Sequence, residues 1–164
     1  MPNHKLDRTD YRILHLLQNN GRLANTELAD AVGLSPSPCL RRVKALEEQG
    51  VIKRYTCLVD PKKVGLPIHI FINVSLHSQE RGGLVIFESK IQTFSEVIEC
   101  YLMTGTADYL LRVVVPDLEA FERFLADKLT CLKEVSNIHS SIALKQVVYK
   151  TELPLAHEFE PIRS

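Results

Sequence analysis

"VGLSPSPCLRRVKALEEQGVI", residues Val32–Ile52, carries the instructions that decide the fold of the first third of the chain. Gly33-Leu34-Ser35 is a tight turn. Ser35 caps a following helix and places Pro36 at its first position, where the missing N–H costs nothing and the fixed φ helps. Pro38 still lies inside the first turn. A competing register has Ser37 as the cap and Pro38 first. In both registers the prolines set where the helix begins and stiffen its entry. Cys39, Leu40, Val43 and Leu46 recur at i, i+1, i+4 and i+7 and make the buried stripe. Arg41, Arg42 and Ala45 point away from it, and Gly50 ends the helix.

Two helices are expected upstream. "LDRTDYRILHLLQNNGR" has Asp7 as cap, Asp10 as a favourable charge in the first turn, and Ile13, Leu14 and Leu17 on one face. Asn19-Asn20-Gly21 stops it. "NTELADAVG" is a second, short helix with Asn25 as cap, Leu28, Ala29 and Val32 inward, and Gly33 at its end. A short helix, a glycine turn and a stiff second helix with outward arginines is a helix-turn-helix pattern, whose second helix starts in the DNA major groove. The candidate DNA contacts are Ser35, Ser37 and Pro38 at the helix entry and Arg41, Arg42 and Lys44 along it. The N–H groups at that entry can also hold a phosphate. "VIKRYTCLVDP" reads as a strand or hairpin, with Lys53 and Arg54 in reach of phosphate. An isolated Arg-Arg pair can equally be a solvated helix face. The turn, the prolines and the capping serine before it favour DNA.

The charge distribution agrees. The whole chain of 164 residues has formal net charge zero. Residues 1–63 carry 11 Lys+Arg against 7 Asp+Glu, a balance of +4, and the remainder carries 9 against 13, a balance of −4. A basic module is joined to a different, acidic one. DNA binding then rests on geometry and on several copies acting together, since bulk charge is lacking.

After the connector "VDPKKVGL" (59–66) the periodicity changes. "HIFINVSL" alternates, with Ile70, Ile72, Val74 and Leu76 on one face. "GGLVIFESKIQTF" fits a helix after a Gly82-Gly83 break. "VIECYLMTG" and "DYLLRVVV" are strands around Gly105-Thr106-Ala107. Leu118, Phe121, Leu125, Leu129 and Leu132 mark another helix, and "VSNIHSSIALKQVVY" is a final strand. The order strand-helix-strand-strand-helix-strand predicts a four-stranded antiparallel sheet with two helices on one face. The other face is too apolar for water, and a homodimer packed sheet on sheet covers it economically.

Cys39, Cys57, Cys100 and Cys131 are widely spaced. Without a C-x-x-C pair they speak against zinc and read as small buried hydrophobes. The six histidines lack an H-E-x-x-H arrangement and read as surface or packing residues. No metal or cofactor is expected. No nucleophile–base arrangement or phosphate loop appears, so an enzyme is disfavoured. No run of 18 apolar residues spans a membrane, and the polar N-terminus is no signal peptide, so the cytoplasm is the expected location.

Three stretches, "LDRTDYRILHLLQNNGR", "ELADAVGLSPSPCLRRVKALEEQGVI" and "YLMTGTADYLLRVVVPDLEAFERFL", resemble the Lrp/AsnC family, the leucine-responsive and asparagine-responsive transcriptional regulators. The resemblance runs from about Leu6 to Leu155. It implies an α+β chain: an N-terminal winged helix-turn-helix (1–58), a linker (59–66) and a C-terminal ACT-like βαββαβ, ferredoxin-like domain for ligand sensing and oligomerisation (67–164). It implies double-stranded DNA as partner and homodimers assembling into tetramers or octamers. It also implies a small effector, commonly an amino acid, held between subunits near a G-x-x-D-Y turn. Here that region is Met103, Thr104, Gly105, Thr106, Asp108 and Tyr109, with Ser140 and Ser141 expected from the neighbouring end of the last strand. Where many members have an acidic residue directly after the glycine, this chain has Thr106 and Ala107, which leaves Asp108 as the nearby anion. The apolar surface of Met103, Tyr109 and Leu110 suits a neutral side chain on the effector. The competing expectation is an architectural DNA-binding protein with no effector.

Overall fold

A computed structural model describes residues 6–78 and 80–155. The chain forms two units. One runs through Leu58 and resumes at Val148, and the other is Val59–Val147.

The first unit holds α1 (Arg8–Asn19), α2 (Asn25–Val32) and α3 (Pro36–Glu48). Asp7 caps α1 as its sequence requires, and Asp10 closes a reciprocal capping box: each carboxylate accepts the other residue's backbone N–H, at 2.9 and 3.0 Å. Ile13, Leu28, Ala29, Val32, Cys39 and Leu46 form one buried cluster. Asn25, expected as the cap of α2, is its first helical residue instead; Ala24 takes the cap position, and Glu27 accepts the Ala24 N–H at 3.1 Å. The Asn25 amide is used elsewhere, donating to the Pro36 carbonyl at 2.9 Å. Leu40 also departs from the expected stripe. It is 43% exposed, while Cys39 and Leu46 are buried.

The segment expected as a strand or hairpin, residues 51–61, carries no strand. A strand needs a ladder partner for its N–H and C=O groups, and the described part of this unit has none to offer. Residues 148–155 group in space with this helical unit, although in sequence they fall in the expected second domain, 67–164. Gln18 on α1 grips this returning segment at both polar atoms of one residue. Its Oε1 accepts the Leu153 N–H at 2.7 Å, and its Nε2 donates to the Leu153 carbonyl at 3.3 Å.

The second unit contains β1 (Ile68–Leu76), α4 (Arg81–Ile91), β2 (Val97–Leu102), β3 (Tyr109–Val115), α5 (Leu118–Phe124, continued by a π turn over Leu125–Leu129) and β4 (Val135–Ile142). The antiparallel sheet has the order β2-β3-β1-β4. The alternation read in "HIFINVSL" holds: Ile70, Ile72, Val74 and Leu76 are buried with Leu111, Val113, Val115, Phe87 and Phe124. Gly82 and Gly83 lie inside the first turn of α4 and do not break the chain before it. Leu118, expected inward, is 56% exposed in the first turn of α5. β4 ends at Ile142, earlier than the sequence suggested. Its last paired residue lies opposite Ile70 of β1, and one further bond, from the Ala143 N–H to the His69 carbonyl at 2.9 Å, closes the pairing.

The opposite sheet face carries Phe71, Leu110 and Tyr101, with Phe71 and Tyr101 exposed, and an Arg112–Glu99 ion pair among them. Of the four cysteines only Cys39 is buried; Cys57, Cys100 and Cys131 are exposed, contrary to their reading as core residues.

Candidate nucleic-acid interface and effector turn

The pose of α3 is set by polar contacts to both other helices and by the turn before it. Gly33 ends α2 at φ +75°, a left-handed conformation that favours glycine, and the Leu34 N–H donates to the Ala29 carbonyl at 2.9 Å. The α2–α3 contact is the Asn25–Pro36 bond already described. Arg12 of α1 donates to the Ala31 carbonyl in the last turn of α2 at 2.7 Å, where cations are favoured. Arg42 of α3 reaches back to α1, with Nη1 at 2.7 Å from Asp7 Oδ2 and 2.8 Å from Asp10 Oδ1.

This last contact corrects the expectation for Arg42. Its guanidinium is turned toward the buried Asp10, not outward to a groove. The reason is charge: Asp10 is 4% exposed and needs a cation, and Arg42 supplies it. The pairing raises the pKa of Arg42, first through its bond to Asp10 and then through Asp7.

The remaining expected DNA contacts stand differently. Ser35 is the N-cap residue of α3, with Pro36 at the first position, which settles the register. The Ser35 side chain makes no capping bond, and Ser35 and Ser37 are exposed. Pro36 and Pro38 remove the N–H at the first and third positions, so the expected grip of helix N–H groups on a phosphate reduces to the Ser35 and Ser37 N–H groups and the serine hydroxyls. Pro38 is half-buried. Arg41 and Lys44 are exposed on the outer side of α3. Lys53 and Arg54 are exposed in the strandless segment, next to Tyr55, whose hydroxyl donates to Glu47 at 2.9 Å. Burial and then that carboxylate push the Tyr55 phenol up to about 12.

At the β2–β3 turn, Met103, Thr104, Gly105 and Thr106 are exposed. Gly105 adopts φ +135°, which an L side chain rarely tolerates. Two expected members of the effector site are already engaged. Asp108 Oδ2 accepts the Leu76 N–H at 2.7 Å, at the point where the β1–β4 register shifts. The Asp108 backbone joins Val74 and Met103 at 3.0 and 2.8 Å. Tyr109 is 1% exposed, its ring tilted against that of Phe87 with centroids 4.6 Å apart, and its hydroxyl donates to Glu88 at 2.8 Å. Burial and the Glu88 carboxylate push its phenol far above the ordinary value.

Ser140 and Ser141 are not brought to the turn within one chain. They pair with Ile72 and Phe71 of β1, level with Leu111 and Arg112, whereas the turn lies beyond Tyr109 and Val74. Because β4 runs antiparallel to β1, the end of β4 nearest the turn is Val135–Ile138. No signal local to the sequence discloses that register, nor the partners of Asp10, Gln18 and Tyr109.

Residues 69–153 match the family model described as Lrp/AsnC ligand binding domain, and residues 6–53 match the one described as winged helix-turn-helix DNA-binding. The chain is 44% identical over 151 residues to the Bkd operon transcriptional regulator of Pseudomonas aeruginosa, covering 92% of this chain and 99% of that protein. It is 38% identical over 155 residues to the leucine-responsive regulatory protein of Escherichia coli, covering 93% of each. Among solved structures it is similar to a transcriptional regulator–L-Met complex from Neisseria meningitidis, with a TM-score of 0.89 and 42% identity, over 94% of this chain and 99% of that one.

Proposed function

The chain belongs to the Lrp/AsnC family, whose members are transcriptional regulators and not enzymes, and on that premise we propose that it is a sequence-specific regulator of amino-acid metabolism, tuned by an amino acid held between subunits. The observation that carries the DNA half is the outer side of α3. Arg41 and Lys44 stand exposed there, on a helix whose pose is fixed by Arg42, Asn25 and the Gly33 turn. Such a helix can read base edges while Lys53, Arg54 and the serines take phosphates. The protein works as a homodimer or larger assembly in the cytoplasm, delivering one such helix to each half-site. The second copy covers the sheet face of Phe71, Leu110 and Tyr101.

For the effector, the exposed turn Met103–Thr106 supplies backbone groups and the Thr104 and Thr106 hydroxyls. A neutral side chain fits the apolar Met103, and the likeness to a regulator solved with L-Met supports that class. Asp108 and Tyr109 shape the turn from within. Ser140 and Ser141 join the site only from another copy. Coupling of about 1–3 kcal/mol between effector and DNA gives graded modulation, not an absolute switch.

A second reading is an architectural protein with no effector. It draws support from the engagement of Asp108 and Tyr109 inside the fold. Anisotropy titration of the full chain on selected and on random duplexes, with and without each of the twenty amino acids, decides between them. Preference for selected DNA that one neutral amino acid shifts supports the first reading. Equal affinity for both duplex pools, unmoved by any amino acid, overturns it.

A further inference from the structure

Leu40 is out of place for a core residue. It sits in the second turn of α3, is 43% exposed, and follows Cys39, which is fully buried. Its neighbours on the helix surface are Ser37 one turn earlier, Lys44 one turn later and Arg41 beside it, all exposed. These four residues lie on one side of the helix and span about 10 Å along its axis at 1.5 Å per residue. That is comparable with the width of the major groove, roughly 12 Å. The apolar side chain is single and framed by two cations and a hydroxyl, which makes it unlike a hydrophobic patch built for a protein partner.

From this placement we infer that Leu40 is a specificity residue that reads the 5-methyl group of a thymine in the major groove. The inference rests on the proposed DNA reading of α3. In that groove the bases present donors, acceptors and one apolar group, the thymine methyl. A leucine can satisfy no donor or acceptor. Pressed over a cytosine amino group or a guanine oxygen, it strips them of water and returns nothing. Over a thymine methyl, both surfaces leave water at a gain. Arg41 and Lys44, which follow Leu40 on the same side of the helix, bind guanine edges or phosphates and hold the helix down, so that one methyl contact becomes a register mark.

The test uses the full chain. Duplexes are selected from a random pool, and the enriched duplex is remade with deoxyuridine replacing each thymidine in turn, which removes only the methyl. At one thymine per half-site the unmodified protein should lose affinity about threefold to fivefold, the scale of one buried methyl-sized group. Leu40→Ala should bind the parent duplex more weakly and show no penalty at that thymine. Arg41→Ala, although weaker overall, should keep the penalty. Circular dichroism melts check that Leu40→Ala folds, as an alanine on an exposed helix side should. An undiminished penalty at that thymine in Leu40→Ala, or no methyl dependence in the unmodified protein, overturns the assignment while leaving DNA reading intact. Failure of the unmodified protein to enrich any sequence removes both.

Discussion

Arg42 Nη1 on α3 lies 2.8 Å from the Asp10 carboxylate on α1, across 32 residues of sequence, and Asp10 is 4% exposed. The adjacent Arg41 is exposed. Two neighbouring arginines therefore have different work. Arg42→Ala leaves a buried charge without its cation and should destabilise the helical unit by about 1–3 kcal/mol, at the lower side of buried-pair losses because Arg42 itself is partly exposed. Arg41→Ala should leave the melting temperature unchanged and weaken DNA binding. Melting curves and anisotropy on the two variants check the split. A stable Arg42→Ala protein would contradict it.

Asp108→Ala should lower stability by about 1–3 kcal/mol, since the Leu76 N–H loses its acceptor at the β1 register shift. Asp108→Asn keeps an oxygen there and should recover most of the loss. Equal melting temperatures for the parent and the alanine variant would show that the bond has no structural weight.

Acid should weaken the fold in two stages. His69 lies below its ordinary 6.5 because of burial, then Arg112 and Lys62. Glu99 is lowered first by the Arg112 bond. In Asp7 and Glu96, burial raises the value, but the hydrogen bonds and cations around them (Arg42 and Lys128) outweigh it and the net shift is downward. Each folded value is depressed, so each contribution is present above the unfolded pKa and is lost as pH falls through the folded one. Melting temperature should decline gently below about pH 6.5 and more steeply below about 4.5. His69→Gln should remove the gentle stage. A flat profile from pH 7 to about 3 would refute the assignment.

Gln18→Ala should release the segment around Leu153 without unfolding α1. Hydrogen exchange should speed at the Leu153 amide, whose acceptor is Gln18 Oε1, and stay slow at Ile13 in the core. Unaltered protection at Leu153 would mean that other contacts hold the segment.

Residues 59–147 should fold alone around their own core and associate through the face of Phe71, Leu110 and Tyr101. Sedimentation should find a dimer or larger. A monomer at micromolar concentration would remove that face as an interface.

Much of this was legible in the sequence because it is local. The Asp7 cap, the Ile13 position, the Gly33 turn and the alternation of Ile70, Ile72 and Val74 all follow from spacing within a turn or a strand. What escaped was set at a distance. Arg42 and Leu40 look like their stripe-mates until Asp10 claims one and the packing of α3 leaves the other outside. Asp108 and Tyr109 look like turn residues until Leu76 and Glu88 take them. Ser140 and Ser141 could be placed only once the β1–β4 register was known, since a strand's neighbours are not encoded in its own alternation.

Because residues 148–155 return to α1, the helical unit is not contiguous in synthesis. The ribosome delivers its three helices first and then about 90 residues of the other unit, a delay of roughly 5–20 s at typical elongation rates. During that interval Gln18 has no Leu153 to hold. A nascent chain stalled before Val148 would carry all of α3 yet lack its finished support. A domain fused directly after Leu155 would sit beside α1, where steric interference with the helices is to be expected.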